Sequence, residues 1–100
     1  MHTEWRTTTV TTAGTEVQVA AADTGLRVRA VLFKARAANT GLIYVGGDNT
    51  VSSTSGFTLS AGESVSLDFG PEKGSEPATS FWVDSSVNGE RVDSIFIYEI

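Results

Sequence analysis

The chain has no cysteine, so neither a disulfide framework nor a thiolate metal site can brace it, and stability must come from packing or association. Its single histidine is His2, which leaves a Ser-His-Asp or Cys-His mechanism without a base inside the folded body. Long apolar runs are absent, and the opening residues Met1-His2-Thr3-Glu4-Trp5-Arg6 are polar. No signal peptide and no membrane span are expected from such a start. Basic residues are few: 7 Lys and Arg against 12 Asp and Glu give a net charge of −5, the wrong sign for binding nucleic acid through its phosphates.

Helical periodicity is missing as well. Threonine, serine, valine and glycine dominate, and apolar residues recur at every second position in short runs, the pattern of strands with one buried face. With 100 residues the chain is expected to form one domain over 1–100, burying roughly two-thirds of its unfolded surface. The expected fold class is all-β: a small antiparallel β-sandwich, jelly-roll-like, with about seven to eight short strands.

Residues 5–12 are threonine-rich with Val10 and read as an edge strand or an extended arm within 1–12, the terminus before Trp5 being mobile. Ala13-Gly14-Thr15 turns into a short strand with Val17 and Val19 inward, and Asp23-Thr24-Gly25 turns again into the longest strand, residues 27–37. There Val31, Phe33, Ala35 and Ala37 share the core face, opposite or nearly opposite Arg29, Leu32, Lys34 and Arg36. The stretch 39–69 is the clearest piece of sandwich wall. Asn39-Thr40-Gly41 makes a hairpin-like connection, Ile43 and Val45 point inward with Tyr44 outward, and Phe57 and Leu59 form an anchor after Gly56. Val65, Leu67 and Phe69 alternate with Ser64, Ser66 and Asp68. The loop 70–79 holds both prolines and is expected to be exposed. Phe81 and Val83 share a face, and Asn88-Gly89 is a strong hairpin signal.

The last strand, residues 93–100, is apolar on both sides: Ile95 and Ile97 on one, Phe96, Tyr98 and Ile100 on the other. Left in water, the face of Phe96, Tyr98 and Ile100 would be an interface patch, so self-association is expected. The alternative is a strand set centrally in its sheet, with the 5–10 segment or a loop over its second face.

No reactive constellation stands out. Asp68 with Asp84, or Asp93 with Glu99, could pair as glycosidase carboxylates, but solvated surface acids are the simpler reading and no catalytic residue is assigned. Asp48-Asn49, with Glu63, is the one local oxygen cluster resembling a calcium set, against which stands an ordinary Asx turn; no metal and no cofactor is expected. Arg27, Arg29, Lys34 and Arg36 form a basic row that reads as a solvated outer face or as partners for acidic residues of a neighbouring subunit. Trp5, Tyr44 and Trp82 are expected outside the core, where they could stack on a glycan or, more in keeping with tryptophan and tyrosine at interfaces, pack on protein. The candidate interface is therefore Trp5, Tyr44, Trp82, Phe96, Tyr98 and Ile100.

The motifs Ala35-Arg36-Ala37-Ala38-Asn39-Thr40-Gly41, Ile43-Tyr44-Val45-Gly46-Gly47 and Gly56-Phe57-Thr58-Leu59-Ser60-Ala61-Gly62-Glu63-Ser64-Val65-Ser66-Leu67-Asp68 occur in that order. Thr9-Val10-Thr11-Thr12 precedes them and Tyr98-Glu99-Ile100 follows. The ordered set resembles a group of small tailed-bacteriophage virion proteins. Two features depart from that pattern: the 70–79 loop is long, and Phe81-Trp82-Val83 replaces a Leu-Tyr-Val-like strand.

The resemblance implies a non-enzymatic virion structural protein, assembled in the host bacterial cytoplasm. The first expectation is a capsid decoration (cement) protein that contacts the major capsid protein or other virion proteins and self-associates as a trimer. A tail or baseplate subunit, or a carbohydrate-binding host-attachment module, is the alternative. Partners among nucleic acids or membranes are not expected.

Overall fold

The computed structural model describes residues 2–19, 27–68 and 78–99. Among these residues eight strands form two sheets: β1 (His2–Val10), β2 (Val17–Gln18), β3 (Arg27–Ala35), β4 (Ile43–Gly46), β5 (Phe57–Leu59), β6 (Ser64–Asp68), β7 (Trp82–Ser85) and β8 (Glu90–Glu99). One sheet has the order β1-β8-β3-β6 and the other β2-β7-β4-β5. All pairings are antiparallel. Only β4 and β5 are neighbours both in sequence and in a sheet; every other connection crosses between sheets, which makes the topology that of a jelly roll.

The core lies between the sheets. Val10 from β1, Val31, Phe33 and Ala35 from β3, Val92, Phe96 and Tyr98 from β8, and Ile43, Val45 and Val83 from the opposite sheet are all buried. Phe33, Phe81 and Phe96 form an aromatic triangle with centroids 5.6, 5.9 and 6.1 Å apart, the Phe33 and Phe96 rings meeting edge to face at 89°. Tyr98 stacks on Phe96 at 6.1 Å. A bulge in β3 between Val28 and Ala30 lets both Val28 and Val31 reach the interior.

Several expectations change here. Phe96 and Tyr98 face inward, 0% and 1% exposed, because the bulkier face of β8 fills the space between the sheets while Ile95 and Ile97 turn outward. Ile100 lies outside the described residues, as do Phe69 and the 70–77 part of the proline loop, whose end is a 3-10 turn, Ala78–Ser80. β8 is central, between β1 and β3, with β1 beside it rather than over it. The segment before Trp5 belongs to β1, paired from His2 with Tyr98 onward, rather than to a mobile tail.

Ala37 is exposed because β3 ends at Ala35. Phe57 is exposed as well, leaving Leu59 as the anchor. The two hairpin signals turn out to be arches between sheets. Their glycines permit the turn, but pairing follows the burial of apolar faces. Gly89 adopts φ +82° and its N–H donates to the Val10 carbonyl at 2.8 Å, fastening the arch to the end of β1.

Candidate interaction face

The residues of the family-like motifs build architecture. Asn39 acts as a strand surrogate: its Nδ2 donates to the Arg91 carbonyl at 2.8 Å, and its Oδ1 accepts from the Arg91 N–H at 3.0 Å. The buried Glu90 carboxylate accepts from the N–H groups of Thr40 (3.2 Å) and Gly41 (2.7 Å). A Cβ on Gly41 would lie 2.5 Å from Ser86 Oγ and 2.6 Å from Val87 Cγ2, so only glycine fits beneath that arch. Glu63 closes the next turn, its Oε1 accepting from the Ser60 N–H at 2.7 Å and its N–H donating to the Ser60 carbonyl at 2.9 Å, with Gly62 at φ +83°.

The carboxylates proposed as catalytic pairs are separated or engaged. Asp84 is buried and accepts from the N–H groups of Gly14 (3.0 Å) and Ser85 (2.8 Å), tying the 11–16 loop to β7. Asp93 accepts from Arg36 Nε (3.0 Å) and Thr7 Oγ1 (2.8 Å). Burial alone would raise its pKa, but the bonds from Arg36 and Thr7, with the charges of Arg36 and Lys34, hold the carboxyl below its ordinary value. Asp68 is exposed on the other edge of its sheet, and the Glu99 side chain lies outside the description. Asp48 accepts from the backbone of Thr50 at 2.9 Å and forms an Asx turn. The bond from the Thr50 hydroxyl, then that from its N–H, lowers its pKa. Among the described residues no group of three or more His, Asp or Glu could hold a metal ion.

The outer face of the β1-β8-β3-β6 sheet is different. Trp5 stands opposite Ile95, Ile95 opposite Leu32, and Leu32 opposite Ser66; the next row is Thr3, Ile97, Ala30 and Asp68. Trp5 is 73% exposed and Leu32 37%. Ile95 and Ile97 are half-buried. Two shallow depressions of ≈ 270 and ≈ 220 Å³ mark this face, meeting at Leu32 and Ile95. On one flank run Thr7, Asp93 and Lys34, and on the other Asp68 and Arg27, so the apolar ladder has a charged rim. From the basic row, Arg36 is committed to Asp93, and Lys34 and Arg27 are exposed.

Of the candidate interface residues that the structure describes, this face holds only Trp5. Tyr44 lies on the outer side of the other sheet, opposite Thr58 and Asp84, but is 7% exposed, in a recess it shares with Ala13, Gly14, Ser52 and Ser53. Trp82, opposite Gln18 and Gly46, is half-buried on that same side. Leu32, Ile95 and Ile97 were not among the candidates. The signal that separates them is phase: Val92, Ser94, Phe96 and Tyr98 continue the inward alternation that Val10 and Phe33 establish, which leaves Ile95 and Ile97 outside.

No family model matches the chain, and no curated protein matches it. Among solved structures, it is similar to IMPa from Pseudomonas aeruginosa, determined in complex with an O-glycopeptide: TM-score 0.56 and 14% identity, over 97% of this chain and 12% of the IMPa chain. At that identity the likeness concerns the fold alone.

Proposed function

We propose that this chain is a bacteriophage virion structural protein, a capsid decoration module that binds other virion proteins through the outer face of its β1-β8-β3-β6 sheet. The observation that carries the reading is the Trp5, Ile95 and Leu32 ladder. It presents a flat apolar surface with a polar rim on a rigid sheet, and titratable groups such as Asp84, Glu90 and Asp93 are engaged in holding loops and strands. Patches of this composition suit protein contacts, with tryptophan as the anchor. Repeated over a lattice, many modest contacts stabilise the whole shell. The ordered motifs that resemble phage virion proteins support the same reading, and a tail or baseplate position would use the same face.

The test is to add purified protein to heads lacking it. Saturable binding with a higher shell melting temperature supports the reading, and binding lost in Trp5→Ala places the contact on this face. Heads that bind nothing refute it.

One observation favours a second reading, a carbohydrate-binding attachment module: the exposed Trp5 ring, which could stack on a sugar. A glycan array separates the two. Glycan binding that is abolished by Trp5→Ala, with no capture on heads, would favour this alternative.

A further inference from the structure

Strand β1 is the edge of its sheet, with β8 on one side and no described strand on the other. It runs nine residues, His-Thr-Glu-Trp-Arg-Thr-Thr-Thr-Val, without proline, glycine, lysine or a register shift. Such features normally keep an edge from pairing; the one protective feature present, the inward-pointing charges of Glu4 and Arg6, is matched by opposite charge in the register below. The direction of its backbone groups follows from the ladder. Arg36 N–H donates to the Arg91 carbonyl at 3.3 Å, so Arg91 and, by the period of two, Asp93, Ile95 and Ile97 point their backbone groups toward β3. The alternate residues of β8 face Glu4, Arg6 and Thr8. The N–H and C=O groups of Thr3, Trp5 and Thr7 consequently point away from the sheet, and no bond from another described residue reaches them.

We infer that two copies of this chain pair antiparallel through β1, in register about Trp5, to form a continuous eight-stranded sheet. In that register Trp5 meets Trp5 of the second copy and Thr3 meets Thr7, each as a hydrogen-bonded pair made by the outward-pointing groups. Glu4 then stands opposite Arg6 twice, in the closer non-hydrogen-bonded position.

The side chains fit this register. Glu4 and Arg6 sit on the inner face, each 30% exposed, and pair with each other at 3.0 Å within the single chain. Among the described residues the buried Nε of Arg6 has no hydrogen-bond partner. The rest of that guanidinium reaches the surface, so a second Glu4 carboxylate across the two-fold axis can accept from its terminal nitrogens. On the outer face the ladder doubles, running Leu32, Ile95, Trp5 and then the same residues of the second copy in reverse. This sharpens the proposed docking surface but does not depend on it. A two-fold contact closes on itself, so the assembly is a dimer, in place of the trimer expected from the family resemblance.

The test uses the intact chain. Light scattering across a concentration series should give twice the 10.6 kDa chain mass; a monomer at all concentrations, or a trimer, overturns the proposal. Trp5→Cys supplies the only thiol of the molecule, and hydrogen-bonded antiparallel partners sit about 5.5 Å apart at Cα, within disulfide reach. Mild oxidation should yield covalent dimer at least ten-fold faster than for the control Thr58→Cys, which is exposed on the other sheet. Equal rates overturn the register even if the wild type dimerises. Thr7→Pro removes an outward N–H and spares the backbone bonds between β1 and β8, losing the Thr7 hydroxyl bond to Asp93, and should convert the dimer to monomer while circular dichroism stays that of a folded sheet. A folded Thr7→Pro dimer also refutes the pairing. Capsid binding by a monomeric variant would leave the decoration reading standing after this one had failed.

Discussion

Replacing Glu90 by alanine should cost far more than an ordinary substitution of a charged residue, because this carboxylate holds the arch that carries the chain from β3 to β4. It is 6% exposed, and its two oxygens serve two different backbone donors, Thr40 N–H at 3.2 Å and Gly41 N–H at 2.7 Å. Hydrogen bonds to an ionised group contribute more than neutral ones, and an orphaned buried donor costs about 1–3 kcal/mol. Thr40 is exposed, so water can replace part of its bond, whereas Gly41 is packed against Ser86 and Val87. The sum is a loss of about 2–4 kcal/mol, a large share of the roughly 5–15 kcal/mol that holds a small domain together. Urea unfolding followed by tryptophan fluorescence should show the midpoint falling by about 1–2 M with the slope unchanged. Glu90→Gln, which keeps one acceptor oxygen, should lose about half as much. A loss below about 0.5 kcal/mol for Glu90→Ala would put the residue among ordinary surface positions and refute the arch argument.

Two aromatic residues expected at the same interface should behave oppositely. Phe96→Ala, at one corner of the aromatic triangle, should cost about 3–5 kcal/mol of stability, while Trp5→Ala, 73% exposed, should stay within about 0.5 kcal/mol; comparable losses in denaturant melts would contradict the assigned facing of β1 and β8. The folded-state pKa of Asp93 is lowered, so its contribution is present above the ordinary carboxylate pKa near 3.8 and is lost as pH falls through the folded value. Asp93→Asn should accordingly flatten the acid limb of the stability profile, and an unchanged limb would show the Arg36 contact to be inert. The Tyr98 phenol is pushed up to about 12, first by burial and then by its hydrogen bond to Glu4 at 2.6 Å. Because the folded value is raised, that stabilisation is complete below pH 10 and declines toward pH 12. Tyr98→Phe should remove this part of the alkaline slope, and absorbance titration should find one phenol ionising near 12.

The sheets were legible in the sequence wherever one face of a strand was clearly apolar. Val31, Phe33 and Ala35 against Leu32 and Lys34 leave one register, since a slip by one residue would bury the lysine. Where both faces are apolar, as in β8, alternation identifies the two sides without ranking them, and the choice depends on volume and on what lies across the sandwich. Phe96 went inward because Phe33 and Phe81 leave a ring-sized space there. The turns at 39–41 and 88–89 form arches rather than hairpins for a related reason. Asn39-Thr40-Gly41 and Asn88-Gly89 specify a local change of direction, while the pairing partner is set by burial across the whole chain. Glu90 was invisible, because nothing local marks a carboxylate whose partners are backbone groups 49 and 50 residues away. The interaction face is a surface property of three strands far apart in sequence. Only Trp5, a large apolar residue in a polar strand, pointed to it in advance.

The most direct test of the proposed role is cryo-electron microscopy of heads lacking the protein, after incubation with the purified chain. Ordered density at lattice positions, with the outer face of the β1-β8-β3-β6 sheet and Trp5 against a virion protein, is the expected result. Heads that remain bare at saturating protein, or density that contacts the shell only through the β2-β7-β4-β5 sheet, would contradict it.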